Sequence, residues 1–170
     1  VAQASELLHE LEALENSRIT EHGKQLHRLP THPRIAHMLI RAKEEGQLHL
    51  ATDIAAILEE RDPLPKDAGI DINLRIDALR RYRKENVGGR KLARIEKIAD
   101  QYRNTFTIDA DNKPHSDFET GLLIAYAYPE RIACARPGNN AQFQMANGRF
   151  ASAGHRDDLA HEAWLAVAHV

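Results

Sequence analysis

The chain has 170 residues, 42% hydrophobic and 28% charged, with a net charge of −2. That balance suits one folded domain, or a domain with parts of its neighbours, and excludes a disordered chain. No apolar run approaches the ~20 residues that span a bilayer, and the opening VAQASELLHELEALENSR alternates apolar and acidic positions, unlike a secretory leader.

In chain order, Leu7, Leu8, Leu11 and Leu14 share one face of a helix expected over 3–15, with Glu6, Glu10, Glu12 and Glu15 elsewhere. A break follows at 16–18. Thr20 then caps a second helix carrying Leu26 and Leu29, which Pro30 ends. Thr31 or His32 is the next N-cap, with Pro33 at the first helical position, where its missing N–H costs nothing. Ile35, Met38, Leu39 and Ala42 recur at helical spacing until Gly46, a natural C-terminal stop. A fourth helix over 50–60 buries Leu50, Ile54, Ile57 and Leu58 and stops at Asp62–Pro63–Leu64–Pro65.

After a loop over 61–70, Ile72, Ile76 and Leu79 mark a helix that turns basic toward Lys84. Gly88–Gly89 breaks it. The next helix sets Leu92, Ile95, Ala99, Tyr102 and Phe106 on one stripe and Arg90, Arg94 and Lys97 on the opposite face. Residues 109–115 are a loop, and Ser116 with Glu119 forms a capping box ahead of an apolar helix, Leu122 to Tyr128. QFQMA and RFASA flank Asn147–Gly148, a hairpin turn whose residues both tolerate positive φ. AWLAVAHV reads as a third strand. The expected fold class is therefore mainly α: a helical bundle of six or seven helices followed by a small antiparallel β-sheet. Its last strand closes the chain with an open edge, so the sheet is expected to continue in a longer protein.

Charge is unevenly distributed. Between Arg75 and Arg103 ten Lys/Arg stand against four acids, about +6, so the remainder carries about −8. Such a block suits a polyanion-facing surface, or simply two solvated helical faces. Catalytic patterns are missing. No GxxxxGK[ST] or GxGxxG occurs, and Gly88–Gly89–Arg90–Lys91 lacks the preceding strand of a phosphate cradle. Among ten histidines, His22 with His27 and His32 with His37 are five apart, not the i, i+4 spacing of a helical zinc pair. His155 and His161, around Asp157 and Asp158, are read as exposed polar residues. No metal is assigned. His115, Ser116 and Asp117 are adjacent and cannot converge as a triad. Cys134, the single cysteine, excludes an internal disulfide and a cysteine-based zinc cage. It is expected to be a small buried residue at a helix end, and a reducing cytoplasm is the expected home.

Five strings in order, RITEHGKQLHRLPTHPRIAHML (18–39), LATDIAAILEERDPL (50–64), AYPERIACARPG (127–138), QMANGRFA (144–151) and EAWLAVAHV (162–170), resemble the C-terminal half of bacterial HrpB-type DEAH-box helicases. The resemblance implies that 1–29 is the end of a winged-helix region, 30–135 a helical ratchet-like domain, and 136–170 the start of an oligonucleotide-binding-like β module. It also implies that ATP and magnesium are held by upstream RecA-like domains, with no cofactor and no catalytic residue in this chain. Its implied role is to guide single-stranded RNA or DNA by phosphate contacts. The candidates, chosen for local charge, are Arg80, Arg81, Arg83, Arg90, Lys91, Arg94 and Lys97, with Arg136, Asn139 and Arg149 near the β module. Aromatic residues are only 5% of the chain, so little base stacking is expected. The rival reading is a protein-interaction module without nucleic-acid binding. A free-standing DNA-binding regulator lacks a basic recognition helix within 1–29, and a small enzyme lacks a catalytic set.

Overall fold

The computed structural model describes residues 1–138 and 141–170. Helix α1 (Ala2–Glu10) ends before the expected position 15. Glu12 takes the left-handed conformation at φ +58, and the N–H of Ala13 closes back onto the Leu8 carbonyl at 2.8 Å, which turns the chain out of the helix. Asn16 and Ser17 follow at φ +48 and +62. They form the two-residue turn of a short hairpin, β1 (Leu14–Glu15) with β2 (Arg18–Ile19), because positive φ at both positions matches the twist of the flanking strands. Only a break was expected there. Thr20 then caps α2 (Glu21–His27), accepting from Gly23 N at 2.9 Å while its hydroxyl donates to the Glu12 carbonyl at 2.6 Å.

The bundle follows the predicted order. Its helices are α3 (Pro33–Glu44), α4 (Leu48–Glu59), α5 (Ile72–Glu85), α6 (Gly89–Phe106) and α7 (Asp117–Ala127). His32 Nδ1 accepts from Arg34 N at 3.2 Å to start α3. The capping box on α7 is complete: Ser116 Oγ accepts from Glu119 N at 3.2 Å, and Glu119 accepts from Ser116 N at 2.6 Å. Ser116→Ala should therefore cost about 1 kcal/mol in urea denaturation; an unchanged midpoint would mean that water replaces the cap without loss.

Ile35, Met38 and Leu39 of α3 meet Leu50 and Ile54 of α4, Ile76 and Leu79 of α5, Ile95 of α6 and Leu123 of α7 in the main core. A second, smaller core joins Ala13, Leu26, Ala36 and Ile40, so α3 is buried on two faces. No described helix is long and apolar enough to cross a membrane.

The β part has four strands, β3 (Ile132–Ala135), β4 (Gln142–Met145), β5 (Phe150–Ser152) and β6 (Trp164–Ala166), in the antiparallel order β5-β4-β3-β6. Three strands were expected. The fourth, β3, lies before position 136 in what read as the end of the helical segment. Its alternation is carried by small side chains, with Ala133 inward and Cys134 outward. Cys134 is thus exposed on a strand and not buried at a helix end. Ala133, Phe143 and Met145 form the sheet's own core. Arg34 ties the sheet's approach to α3, since its guanidinium grips Glu130 at 2.9 and 2.6 Å and donates to the Ala127 carbonyl at 3.0 Å.

Candidate nucleic-acid interface

The basic block of α5 and α6 divides into an inner and an outer set. Asp53 of α4 is fully buried and receives Arg83 at 2.7 Å, Arg80 at 3.2 Å and Arg103 at 3.8 Å. Glu96 of α6 joins Arg83 at 2.8 Å and Arg103 at 2.6 Å. Burying charge is tolerated only when it is paired and hydrogen-bonded, and the loop after α6 supplies further partners. Arg80 donates to the Lys113 carbonyl at 2.6 Å, and Arg83 to Asn112 at 2.9 Å. His115 Nδ1 lies 3.1 Å from Arg80 and its Nε2 lies 3.0 Å from the Asn73 side-chain oxygen. Because arginine can only donate, Nδ1 is the acceptor in that contact. Arg75 is likewise buried, gripping Asp62 at 2.7 and 3.1 Å.

Arg80 and Arg83 are therefore structural cations and must be withdrawn from the surface set. The window charge of +6 overcounted, since Asp53 and Asp62 enter from outside the window. Arg81 is exposed and pairs with Glu85 at 3.3 Å, and Lys91 is exposed and donates to the Asp62 carbonyl at 3.2 Å. Arg90, Arg94 and Lys97 are exposed and have no ion-pair partner among the described residues. At i, i+4 and i+7 they form a cationic ridge about 10 Å long at the helical rise. The opposite side of α6 is anchored in the core by Leu92, Ile95, Ala99 and Tyr102.

On the sheet, the register places Phe150, Gln144, Cys134 and Trp164 side by side in one row across β5, β4, β3 and β6. All four point outward, with Phe150 53% and Trp164 65% exposed. The Arg136 guanidinium lies 4.8 Å from the Phe150 ring centroid and donates to Gln142 at 3.1 Å. Arg149 is exposed beside the hairpin turn. Asn139 lies outside the described residues. Sequence reasoning missed the two outward aromatics. For Phe150 the signal was the turn: of Asn147 and Gly148 only Gly148 has positive φ (+82), and Met145 N bonds the Arg149 carbonyl at 2.8 Å. The loop therefore has three residues, ending in a left-handed glycine. A two-residue turn would set Phe150 opposite Met145, on the inward face.

No profile of a described family matches the chain. The ATP-dependent RNA helicase HrpB of Escherichia coli is 30% identical over 165 residues, which is 95% of this chain and 18% of that protein. The crystal structure of the E. coli DExH-box NTPase HrpB superposes with a TM-score of 0.73 at 28% identity, covering 96% of this chain and 18% of the other. A second crystal structure, of the Escherichia coli DEAH/RHA helicase HrpB, gives a TM-score of 0.73 at 30% identity and the same coverage. The chain is an HrpB-type segment. It spans less than a fifth of the HrpB chains it matches. What the HrpB-type segment presents outward is the ridge of α6 and the aromatic row of the sheet.

Proposed function

We propose that this HrpB-type segment is an accessory region of an ATP-dependent helicase that guides single-stranded RNA, or DNA, past lobes that bind ATP and magnesium elsewhere. In this reading 1–29 ends a winged-helix region, 30–135 is the ratchet-like bundle, and 136–170 opens the oligonucleotide-binding-like module. A cytoplasmic setting goes with it. The observation that carries the proposal is the ridge of Arg90, Arg94 and Lys97, three cations without an ion pair among the described residues on one face of α6, whereas Arg75, Arg80, Arg83 and Arg103 of the same basic block are all paired. An unpaired row of cations on a rigid helix is suited to phosphates, whose counterions it displaces irrespective of sequence. The outward Phe150 and Trp164 offer ring faces for bases, with Arg136 beside one of them.

The test is fluorescence anisotropy with a single-stranded RNA over a series of salt concentrations. Changing Arg90, Arg94 and Lys97 together to glutamine should weaken binding more than tenfold at low salt. The slope of log K against log salt should shrink by about 2, at roughly 0.7 per lost phosphate contact. The same affinity and slope in both proteins would reject the ridge as the binding face. A protein-docking role would then rest on the outward sheet face, where Ile132, Phe150 and Trp164 are exposed.

A further inference from the structure

Three side chains distant in sequence meet beside the small core formed by Ala13, Leu26, Ala36 and Ile40. Glu12 stands in the turn after α1, His22 at the start of α2, and His37 in α3. One ligand atom of each lies within 4.8 Å of the other two. His22 Nε2 and His37 Nδ1 are 2.8 Å apart, with their rings nearly perpendicular at 88°. Two neutral imidazoles facing in this way share one proton between two ring nitrogens, and a metal ion would take the place of that proton.

The protonation states also suit a metal. Burial lowers the His22 pKa, and burial together with the neighbouring ring takes His37 down to about 4. Both imidazoles are then neutral near pH 7, the form that ligates. Glu12 adds the charge. It occupies a left-handed position at φ +58, where glycine is usual, so a carboxylate is kept at some conformational cost. One of its oxygens pairs with Arg41, which also reaches Glu44 at 3.1 Å. Its other oxygen has no partner among the described residues. Arg41 thus stands where outer-shell partners orient a ligating carboxylate.

We propose that Glu12, His22 and His37 form a binding site for a divalent transition-metal ion, with zinc the best match to two imidazoles and one carboxylate. Hard cations such as calcium and magnesium prefer all-oxygen cages, whereas zinc takes this donor set in four-coordinate geometry with a water at the fourth position. Zinc–nitrogen bonds of about 2.0–2.1 Å need the two nitrogens somewhat over 3 Å apart. The half-buried His22 ring opens that far by a small rotation. The ion would staple the α1 turn and α2 to α3 beside the small core of Ala13, Leu26, Ala36 and Ile40. The site is independent of the nucleic-acid reading, and neither five-residue histidine spacing contributes to it, since His22 and His37 are 15 apart in sequence.

The experiment is a zinc titration of the chelator-stripped 170-residue chain against a chromophoric competitor, followed by thermal melts with and without zinc. One tight equivalent and a raised Tm are expected. Cobalt(II) should develop the visible absorption of a four-coordinate ion. His22→Ala and Glu12→Gln alter accessible side chains, so they should fold, weaken the equivalent at least tenfold and abolish the rise in Tm. His27→Ala, outside the site, should keep both. A parent chain without a tight equivalent would overturn the proposal, as would tight binding that survives either substitution; the histidine pair would then be a hydrogen bond and nothing more.

Discussion

Asp53→Asn will destabilise the chain by about 3–5 kcal/mol, the cost of removing one charge from a buried ion cluster. The asparagine fits the same space, so the loss comes from electrostatics and not from a cavity. In the native cluster Asp53 and Glu96 face Arg80, Arg83 and Arg103. Without the Asp53 charge, Arg83 and Arg103 are left with the partly buried Glu96, and Arg80 keeps no ion-pair partner among the described residues. The cluster is not fully satisfied, because Arg80 Nη2 and Arg103 Nη1 are buried without hydrogen-bond partners among the described residues. Urea denaturation is the measurement. A loss under about 1 kcal/mol would show that water reaches the cluster and screens it as it screens surface pairs. In an Arg83→Met background the same substitution should cost less, since neighbouring partners couple in double-mutant cycles.

Gly23→Ala should cost up to about 3 kcal/mol, although alanine is the better helix former. A Cβ at this position would stand 2.3 Å from the Ala13 carbonyl oxygen and 2.9 Å from Ile19 Cγ1. The closest atom is backbone, so α2 must move bodily away from the β1–β2 hairpin. That movement opens the small core around Leu26. A lower urea midpoint is expected, with His22 displaced from His37. A midpoint equal to or above the parent's would mean that α2 and the hairpin are not in contact through this glycine.

Much of the helical architecture is visible in the residues because its signals are local. Ser116 with Glu119, Thr20, and His32–Pro33 each mark a helix start, and each acts as a cap in the structure. Local patterning is weaker where contacts are distant. The strand at 132–135 is built from Ala and Cys, whose alternation carries little hydropathy contrast, and it is defined by its partners on either side. The sorting of arginines into buried and exposed could not be read from α5 and α6 alone, because the deciding residue, Asp53, sits one helix earlier. Its signal was present: an aspartate inside the apolar stripe of Leu50, Ile54 and Ile57 is buried only with a partner. The outward position of Phe150 turned on one residue of hairpin register, which reverses every side chain along a strand.

Helix α3 supplies Met38 and Leu39 to one core and Ala36 and Ile40 to the other, which fixes an order of events when the molecule opens. The N-terminal hairpin and α2 can detach while the larger core keeps α3 in place, yet α3 cannot leave without dissolving both. Opening is therefore hierarchical. Backbone amides of α1 and α2 exchange with solvent through a partial excursion, and those of α3 only when the whole bundle comes apart.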